Sequence, residues 1–230
     1  MRPAGDARGS GLDCVVVPSS ESAPLSEQQR ERVDALVASE PALVTLARRF
    51  TDAGHELAIV GGPVRDALMG RVSQDWDLTT SARPEEIEDL IAKWADAVWD
   101  VGREFGTIAL RKGSAQIEIT TYRSDEYDAT SRKPQVRFGD SLEGDLSRRD
   151  FTVNAMAVSI VAPAPDSDHV VIAWTFADPH GGLTDLKAGV LRTPVAAGTS
   201  DGGTEPAVHG DGVRPDQAGA SPPQGRAGNG

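Results

Sequence analysis

Two aspartates separated by one tryptophan are the residues of this sequence best suited to bind a metal ion. Asp75 and Asp77 flank Trp76 at the start of a predicted strand that ends at Thr80. Alternate side chains of a strand share a face, so both carboxylates point one way and the indole points the other. Two aligned carboxylates repel each other unless a cation lies between them, and Mg²⁺ prefers such oxygen ligands. The alternative, common for an isolated Asp-x-Asp, is one aspartate capping the preceding turn and one solvated.

A third carboxylate follows on a second predicted strand. Ile117 and Ile119 alternate with Glu118, which places the isoleucines on one face and the glutamate on the other. If this strand lies beside the one that contains Asp75 and Asp77, Glu118 completes a carboxylate cluster. Such a cluster, together with water and substrate phosphates, suits Mg²⁺. The alternative is a solvent-facing glutamate on an edge strand.

A pair of glycines ends thirteen residues before the aspartates. Gly61 and Gly62 lie between a predicted strand and a predicted helix. Backbone amides at such a turn bind phosphate, and Arg65 in the first helical turn can contact a phosphate with two donors. The alternative is a tight turn in which Arg65 pairs with Asp66 or Asp75.

The third group of polar residues contains two adjacent arginines. Arg148, Arg149 and Asp150 precede Asn154. Arginine offers planar donors for a triphosphate, a carboxylate can accept from a ribose 2′-OH, and Asn154 can orient that site. The alternative is a surface ion-pair cluster at a helix end. Combined, the three groups predict nucleotidyl transfer, with one metal activating a 3′-hydroxyl and another stabilising the leaving pyrophosphate.

The composition excludes several other classes of protein. The net charge is −12 over 230 residues, which argues against tight nucleic-acid binding by this chain alone because phosphate contacts come from Lys and Arg. The single cysteine, Cys14, cannot form an intrachain disulfide, which fits the reducing cytoplasm. No apolar run reaches the length of a membrane span, so we expect no membrane association.

The pattern along the chain predicts one domain between two flexible segments. Residues 1–25 are rich in Gly, Ser and Pro, 26–194 form the domain, and 195–230 are a disordered, low-complexity tail with too few aliphatic residues to offset its ordering entropy. A mobile loop is expected at 124–133. Helices are predicted at 26–53, 63–69, 84–98, 142–160 with a break near Asp150, and 183–187, and strands at 55–60, 75–80, 107–111, 116–123 and 170–176.

The order of these motifs resembles that of a known family. Over residues 33–194 the sequence resembles the class II tRNA nucleotidyltransferases (CCA-adding enzymes) and bacterial poly(A) polymerases, which belong to the polymerase-beta-like nucleotidyltransferase superfamily. The resemblance rests on Val60-Gly61-Gly62-x-Val64-Arg65-Asp66 with Asp75-x-Asp77-Leu78, on Arg148-Arg149-Asp150-Phe151-Thr152-Val153-Asn154-Ala155, and on Asp178-Pro179-x-Gly181-Gly182-Leu183-x-Asp185-Leu186.

The resemblance implies an α+β fold, the polymerase-beta-like nucleotidyltransferase head, with a mixed β-sheet, flanking helices and disordered N- and C-terminal segments. Asp75, Asp77 and Glu118 would be catalytic, with Asp75 and Asp77 as ligands of a two-metal Mg²⁺ site. The implied reaction transfers nucleotides from CTP or ATP to the 3′-OH of tRNA in the cytoplasm. The resemblance also implies Gly62, Arg65 and Arg149 at the nucleotide, and the residue types add Gly61, Arg148, Asp150 and Asn154 to the predicted nucleotide-binding residues.

The sequence departs from this family after residue 194. The family's neck motif, Glu-Asp-x-x-Arg, selects C or A, and its helical body and tail domains bind the tRNA, but residues 196–230 contain none of these. We therefore expect a truncated catalytic head with weakened binding of the tRNA 3′ end and weak or no activity on tRNA. The bias of 196–230 also resembles a GC-rich gene read out of frame. The alternatives are a poly(A) polymerase, a separate CC-adding or A-adding enzyme, and a non-catalytic nucleotide-binding fragment.

Overall fold

The computed structural model describes residues 14–18, 25–73, 75–124, 137–162 and 170–194. Its helices are α1 (Glu27–Ala38), α2 (Pro41–Asp52), α3 (Gly62–Leu68), α4 (Pro84–Ile91), α5 (Leu142–Ser147) and α6 (Gly182–Ala188). Its strands are β1 (Cys14–Pro18), β2 (Leu57–Val60), β3 (Asp75–Thr80), β4 (Ala97–Gly102), β5 (Thr107–Lys112), β6 (Ala115–Thr121), β7 (Arg123–Ser124), β8 (Arg137–Phe138), β9 (Ala157–Val161) and β10 (Val170–Ala177). Two short 3₁₀ turns cover Arg103–Phe105 and Thr152–Asn154.

Eight of these strands form one mixed sheet in the order β1-β10-β9-β2-β3-β6-β5-β4. The β1–β10 and β3–β6 pairs are parallel, and the other pairs are antiparallel. Strands β7 and β8 form a separate two-stranded ribbon. The acidic strand β3 therefore lies inside the sheet, between β2 and β6. The predicted α+β fold with a mixed sheet and flanking helices is confirmed.

The two faces of the sheet are covered unequally. The main core lies on the face covered by α1 to α4 and includes Trp76 and Leu78 of β3. On the opposite face a smaller apolar cluster packs Leu146 of α5 against Ala58 and Ala157. Because side chains alternate along a strand, the odd-numbered residues of β3 lie on this second, more open face. Among the described residues, no helix is both long and apolar enough to cross a membrane.

The start of the domain follows the predicted helix signals. Ser26 caps α1 through a capping box, in which the Gln29 amide donates to Ser26 Oγ at 3.3 Å and the Ser26 amide donates to Gln29 Oε1 at 2.9 Å. The predicted helical stretch 26–53 is two helices, because Pro41 begins α2. Their buried faces pack against the sheet.

The predicted helix 84–98 is wrong beyond Ile91. Ala97–Gly102 form β4, which pairs with β5 at the edge of the sheet. Val98, whose spacing had extended the helical pattern, is 42% exposed on this strand. The β-branched and aromatic residues of this stretch favour a strand, and hydrogen bonding to β5 outweighs the helical spacing.

The predicted helix 142–160 is wrong beyond Ser147. Residues Ala157–Val161 form β9, an inner strand between β2 and β10. Its short apolar run has no strict alternation, so periodicity alone does not separate it from a helix. The 3₁₀ turn Thr152–Asn154 begins just after the predicted break at Asp150.

The N-terminal segment 1–25 is not flexible throughout. Cys14–Pro18, with three consecutive β-branched valines, form an edge strand parallel to β10. The other residues of the predicted extension, apart from Leu25, lie outside the described residues. The same holds for the tail 195–230 and for the predicted mobile loop 124–133, apart from Ser124 in β7.

Candidate active site

The acidic strand has the faces that the sequence predicts. Asp75 and Asp77 lie on the exposed face of β3, while Trp76 is only 6% exposed on the core face. The parallel pairing of β3 with β6 places Glu118 directly opposite Asp77. Glu118 therefore lies on an inner strand beside the aspartates, and not on an edge strand. The structure brings the three predicted carboxylates together on one face.

The electrostatics of this face disfavour negative charge. Asp77 is exposed as a residue, but its carboxylate is partly buried, and this burial raises its pKa. Arg149 lowers the pKa of Asp77, and Asp75 raises it further. The pKa of Glu118 is also raised, first by burial and then by Asp77 and Asp75. A cation at this face would relieve both effects.

The carboxylates do not form a complete metal cage by themselves. In the part of the chain that the structure describes, no group of three or more His, Cys, Asp or Glu side chains is arranged to hold a metal ion. An ion held by Asp75 and Asp77 would need water or substrate oxygens to complete its ligands. Mg²⁺ commonly binds in this way, through one or two carboxylates plus water and phosphate.

Gly61 lies close to both the acidic strand and Arg149. It joins β2 to α3 with φ of +70°, a conformation that favours glycine. A Cβ at this position would lie 3.3 Å from Arg149 Nη1 and 4.0 Å from Asp77 Oδ2. The glycine turn, the guanidinium and the acidic strand are therefore in close contact. Gly62 follows as the first residue of α3, with Arg65 Nη2 3.8 Å from its Cβ position.

Arg65 links the glycine turn to residues 148–154. Its Nη1 donates to Asn154 Oδ1 at 2.7 Å, while its Nε donates to Asp66 Oδ1 at 3.0 Å. Asn154 Nδ2 in turn donates to Asp150 Oδ1 at 3.2 Å. The pairing of Arg65 with Asp66 is thus present together with the contact to Asn154. These residues form a continuous polar chain at the surface.

The two adjacent arginines have different surroundings. Arg148 donates from Nε and Nη2 to Asp145 Oδ1, at 3.0 and 2.8 Å. Arg149 donates from Nη2 to Asp145 Oδ2 at 3.2 Å, and its Nη1 points to Gly61. Arg149 therefore reaches the acidic face, whereas two of the donors of Arg148 are held by Asp145.

Asp145 is the functional candidate that sequence reasoning missed. Its side chain on α5 is fully buried, and it forms ion pairs with both Arg148 and Arg149. The available signal was its spacing, three and four residues before Arg148 and Arg149, which brings side chains together on a helix. That spacing alone does not separate a buried anchor from an exposed ion pair.

The comparison with known proteins decides the family. The family model described as the poly A polymerase head domain matches residues 57–192, more than half of the 230 residues. The chain belongs to this family. This membership confirms the predicted relationship to class II tRNA nucleotidyltransferases, and the matched residues contain all the candidate site residues described above.

The chain is also similar to curated proteins and solved structures that are CCA-adding enzymes. The CCA-adding enzyme of Streptococcus suis (strain 05ZYH33) is 41% identical over 148 residues, which are 64% of this chain and 33% of that enzyme. The crystal structure of the Bacillus stearothermophilus CCA-adding enzyme in complex with CTP is 32% identical, with a TM-score of 0.51 over 67% of this chain and 34% of that chain. The structure of the Thermotoga maritima CCA-adding enzyme complexed with tRNA is 27% identical, with a TM-score of 0.50. The match covers 71% of this chain and 35% of that chain. The chain spans about a third of the length of the curated relatives that it matches.

Proposed function

We propose that this poly A polymerase head domain transfers nucleotides from CTP or ATP to the 3′-OH of tRNA, in the cytoplasm. The observation that carries the proposal is the shared face of Asp75 and Asp77, with Glu118 opposite in the parallel register and Arg149 against Gly61. The relatives named CCA-adding enzymes support the same reaction, and one of their structures contains CTP while another contains tRNA. Residues 26–194 would form the catalytic domain.

The reaction exchanges one phosphorus–oxygen bond for another. The 3′-oxygen of the RNA attacks the α-phosphorus, and the bond from that phosphorus to the oxygen bridging to the β-phosphorus breaks. Pyrophosphate leaves with the electron pair of that bond. Glu118, opposite Asp77 in the strand register, would accept the hydroxyl proton, and its raised pKa makes its carboxylate a stronger base.

Mg²⁺ fits the chemistry of the donor set. Asp75 and Asp77 would hold the two-metal site, because two carboxylates on one strand face leave the remaining ligand positions for water and phosphate oxygens. When bound, the metal would neutralise charge on the phosphates and lower the pKa of the attacking hydroxyl. The residues of the chain bind and orient the substrate around it.

The remaining residues would bind the nucleotide. Arg149 Nη1, 3.3 Å from the Cβ position of Gly61, would contact the triphosphate together with the backbone at Gly61 and Gly62. The polar chain formed by Arg65, Asn154 and Asp150 would contact the ribose. Arg148 would add its positive charge while its Nε and Nη2 remain on Asp145.

We expect this chain to transfer nucleotides to tRNA slowly. Its net charge of −12 opposes binding of a polyanion such as tRNA. The test incubates excess protein with labelled CTP or ATP, Mg²⁺ and tRNA that lacks its 3′-terminal CCA. Slow, Mg²⁺-dependent incorporation is expected, and Asp75→Ala should remove it. The matched control is Asp89→Ala, which changes an exposed carboxylate of α4 outside the site.

The same assay can contradict each part of the proposal. Incorporation by Asp75→Ala at the wild-type rate would remove Asp75 from the metal site. Rapid addition of C and then A by the wild-type chain would contradict the expected slow transfer. Sequencing of the product separates CCA addition from the poly(A) synthesis that gives the matching family its name.

A second candidate function is nucleotide binding without turnover. The observation that favours it is Arg149 Nη1 beside the glycine turn at Gly61, which would hold phosphate without a metal at Asp75 and Asp77. It predicts that CTP or ATP raises the thermal midpoint of the protein while no label enters RNA. Transfer that depends on Asp75 would exclude it.

A further inference from the structure

Asp145 is a buried carboxylate that no step of the proposed reaction uses. It is fully buried, and it accepts from Thr79 Oγ1 at 3.2 Å and from the Arg123 amide at 3.2 Å, as well as from Arg148 and Arg149. A buried carboxylate is costly unless it is paired and hydrogen-bonded, as this one is. Burial alone would raise its pKa, but Arg149 and Arg148 hold that pKa below its usual value. Asp145 is therefore a buried anion that binds two guanidinium groups on the face of the sheet that carries Thr79.

Its contact with Arg149 fixes the direction of that guanidinium. Arg149 Nη2 is held by Asp145 on one side, and Nη1 lies 3.3 Å from the Cβ position of Gly61 on the other. The guanidinium also lowers the pKa of Asp77 electrostatically. The Nε atom is buried without a hydrogen-bond partner among the described residues. The guanidinium is a rigid planar fork, so holding one terminal nitrogen determines where the other one points.

Thr79 connects this anchor to the acidic strand. Its hydroxyl lies within hydrogen-bond distance of both Asp145 Oδ2 and the Thr120 carbonyl oxygen. Thr79 follows Asp77 by two residues on β3, so both side chains lie on the same face. Asp145 is thus tied to the strand that carries the proposed metal ligands, and Arg149 is held at a fixed position relative to that strand.

We propose that Asp145 is a positioning residue, which holds Arg149 Nη1 towards the triphosphate of the bound nucleotide. The inference rests on the proposed function, because it requires a nucleotide at Gly61. Asp145 itself does not touch the nucleotide and acts through Arg149. The pre-organised arginine loses less conformational freedom when the nucleotide binds, so affinity should fall when the anchor is removed.

Two other roles for Asp145 give different results. A purely structural anchor for α5 would affect stability, and its removal would not interact with a change at Arg149. A competitor that occupies Arg149 would weaken phosphate binding, so its removal would tighten the binding of CTP. The sign of the change in affinity and its dependence on Arg149 therefore separate the three roles.

The test is a double-mutant cycle on the affinity for Mg²⁺-CTP, measured by calorimetry with the 230-residue chain. The variants are Asp145→Asn, Arg149→Ala and the two combined. Asp145→Asn is expected to weaken binding about tenfold, the amount that a charge-assisted hydrogen bond supports. In the Arg149→Ala background the same change should alter the dissociation constant by less than about twofold, because the residue it acts through is gone.

A matched control removes a carboxylate that anchors another part of the fold. Asp34 Oδ1 accepts from Trp174 Nε1 at 2.8 Å, and Asp34→Asn should leave the affinity for Mg²⁺-CTP unchanged. If Asp145→Asn does not fold, Thr79→Val removes one hydrogen bond to Asp145 and should weaken binding about threefold, again only when Arg149 is present.

Three outcomes would overturn the inference. They are unchanged or tighter binding by Asp145→Asn, equal weakening with and without Arg149, and equal weakening by Asp34→Asn. Failure of the proposed function alone looks different, because the wild-type chain would then bind Mg²⁺-CTP with this coupling and transfer no nucleotide to tRNA. A wild-type chain that does not bind Mg²⁺-CTP would overturn the inference as well.

Discussion

Asp77→Asn is expected to reduce Mg²⁺-dependent nucleotidyl transfer while it raises the thermal midpoint of the metal-free protein. The loss of transfer should be about a thousandfold, because a catalytic metal stabilises transition-state charge by several kcal/mol and each 1.36 kcal/mol is tenfold in rate. The gain in stability follows from the raised pKa of Asp77, which burial causes, with Asp75 adding to it and Arg149 opposing it. A raised pKa means that the folded state disfavours the ionised carboxylate at neutral pH, and the neutral amide removes that cost.

The measurement follows thermal unfolding with and without Mg²⁺, beside the transfer assay. Mg²⁺ should raise the midpoint of the wild-type protein and leave that of Asp77→Asn unchanged, since a ligand stabilises only the state that binds it. Asp89→Asn, on the exposed surface of α4, is the control and should behave like the wild type in both assays. An equal Mg²⁺ effect on Asp77→Asn would contradict the assignment of Asp77 as a metal ligand.

Gly182→Ala is expected to cause the largest loss of stability of any single methyl group added at a described glycine. A Cβ at Gly182 would overlap the carbonyl oxygen of Thr152, and it would lie 2.7 Å from the carbonyl carbon of Thr152 and 3.0 Å from Met156 Cγ. Backbone atoms cannot move aside as a flexible side chain can. We expect the free energy of unfolding to fall by about 3 kcal/mol, the upper part of the range for overpacking. Urea denaturation measures this change.

The neighbouring glycine provides the control for this substitution. Gly181 has a φ of +72° and nothing within 4 Å of its Cβ position. Gly181→Ala should therefore cost only the strain of a left-handed backbone, about 1 kcal/mol. Equal losses for the two variants would mean that α6 moves away from the 3₁₀ turn without cost. The contact between α6 and that turn also includes a hydrogen bond from Thr152 Oγ1 to Asp185 Oδ2 at 2.6 Å. The clash would therefore also strain residues 148–154.

The acidic strand could be predicted from the sequence because its signal is local. Strand β3 covers the predicted residues, with Trp76 in the core and the aspartates on the open face. The position of Glu118 relative to Asp77 required more than this. Register between β3 and β6 depends on a parallel pairing of strands far apart in the sequence, which alternation does not determine.

Two other features needed tertiary structure. Strand β9 is an inner strand whose short apolar run has no strict alternation, and spacing alone therefore predicts a helix there. The role of Asp145 depends on burial and on contacts to Thr79 and Arg149, which come from a different part of the chain and from the following turn. Sequence spacing indicates neighbours on a helix but not which of them are buried.

The grouping of Asp77, Gly61 and Arg149 explains why the motifs occur together. Gly61 lets the backbone approach both groups, since a Cβ there would lie 3.3 Å from Arg149 Nη1 and 4.0 Å from Asp77 Oδ2. The glycine turn thus permits a short distance between the proposed metal ligand and the proposed phosphate ligand. Asp145, on the same face of the sheet, holds the guanidinium through its Nη2 atom.

The most direct test of the proposed site is calorimetric titration of the chain with CTP, with Mg²⁺ present and with Mg²⁺ removed by a chelator. Wild-type protein is expected to bind CTP with Mg²⁺, and binding should weaken strongly without Mg²⁺ and in Asp75→Ala. The same dissociation constant for wild type and Asp75→Ala, with or without Mg²⁺, would contradict a metal-dependent nucleotide site on this face of β3.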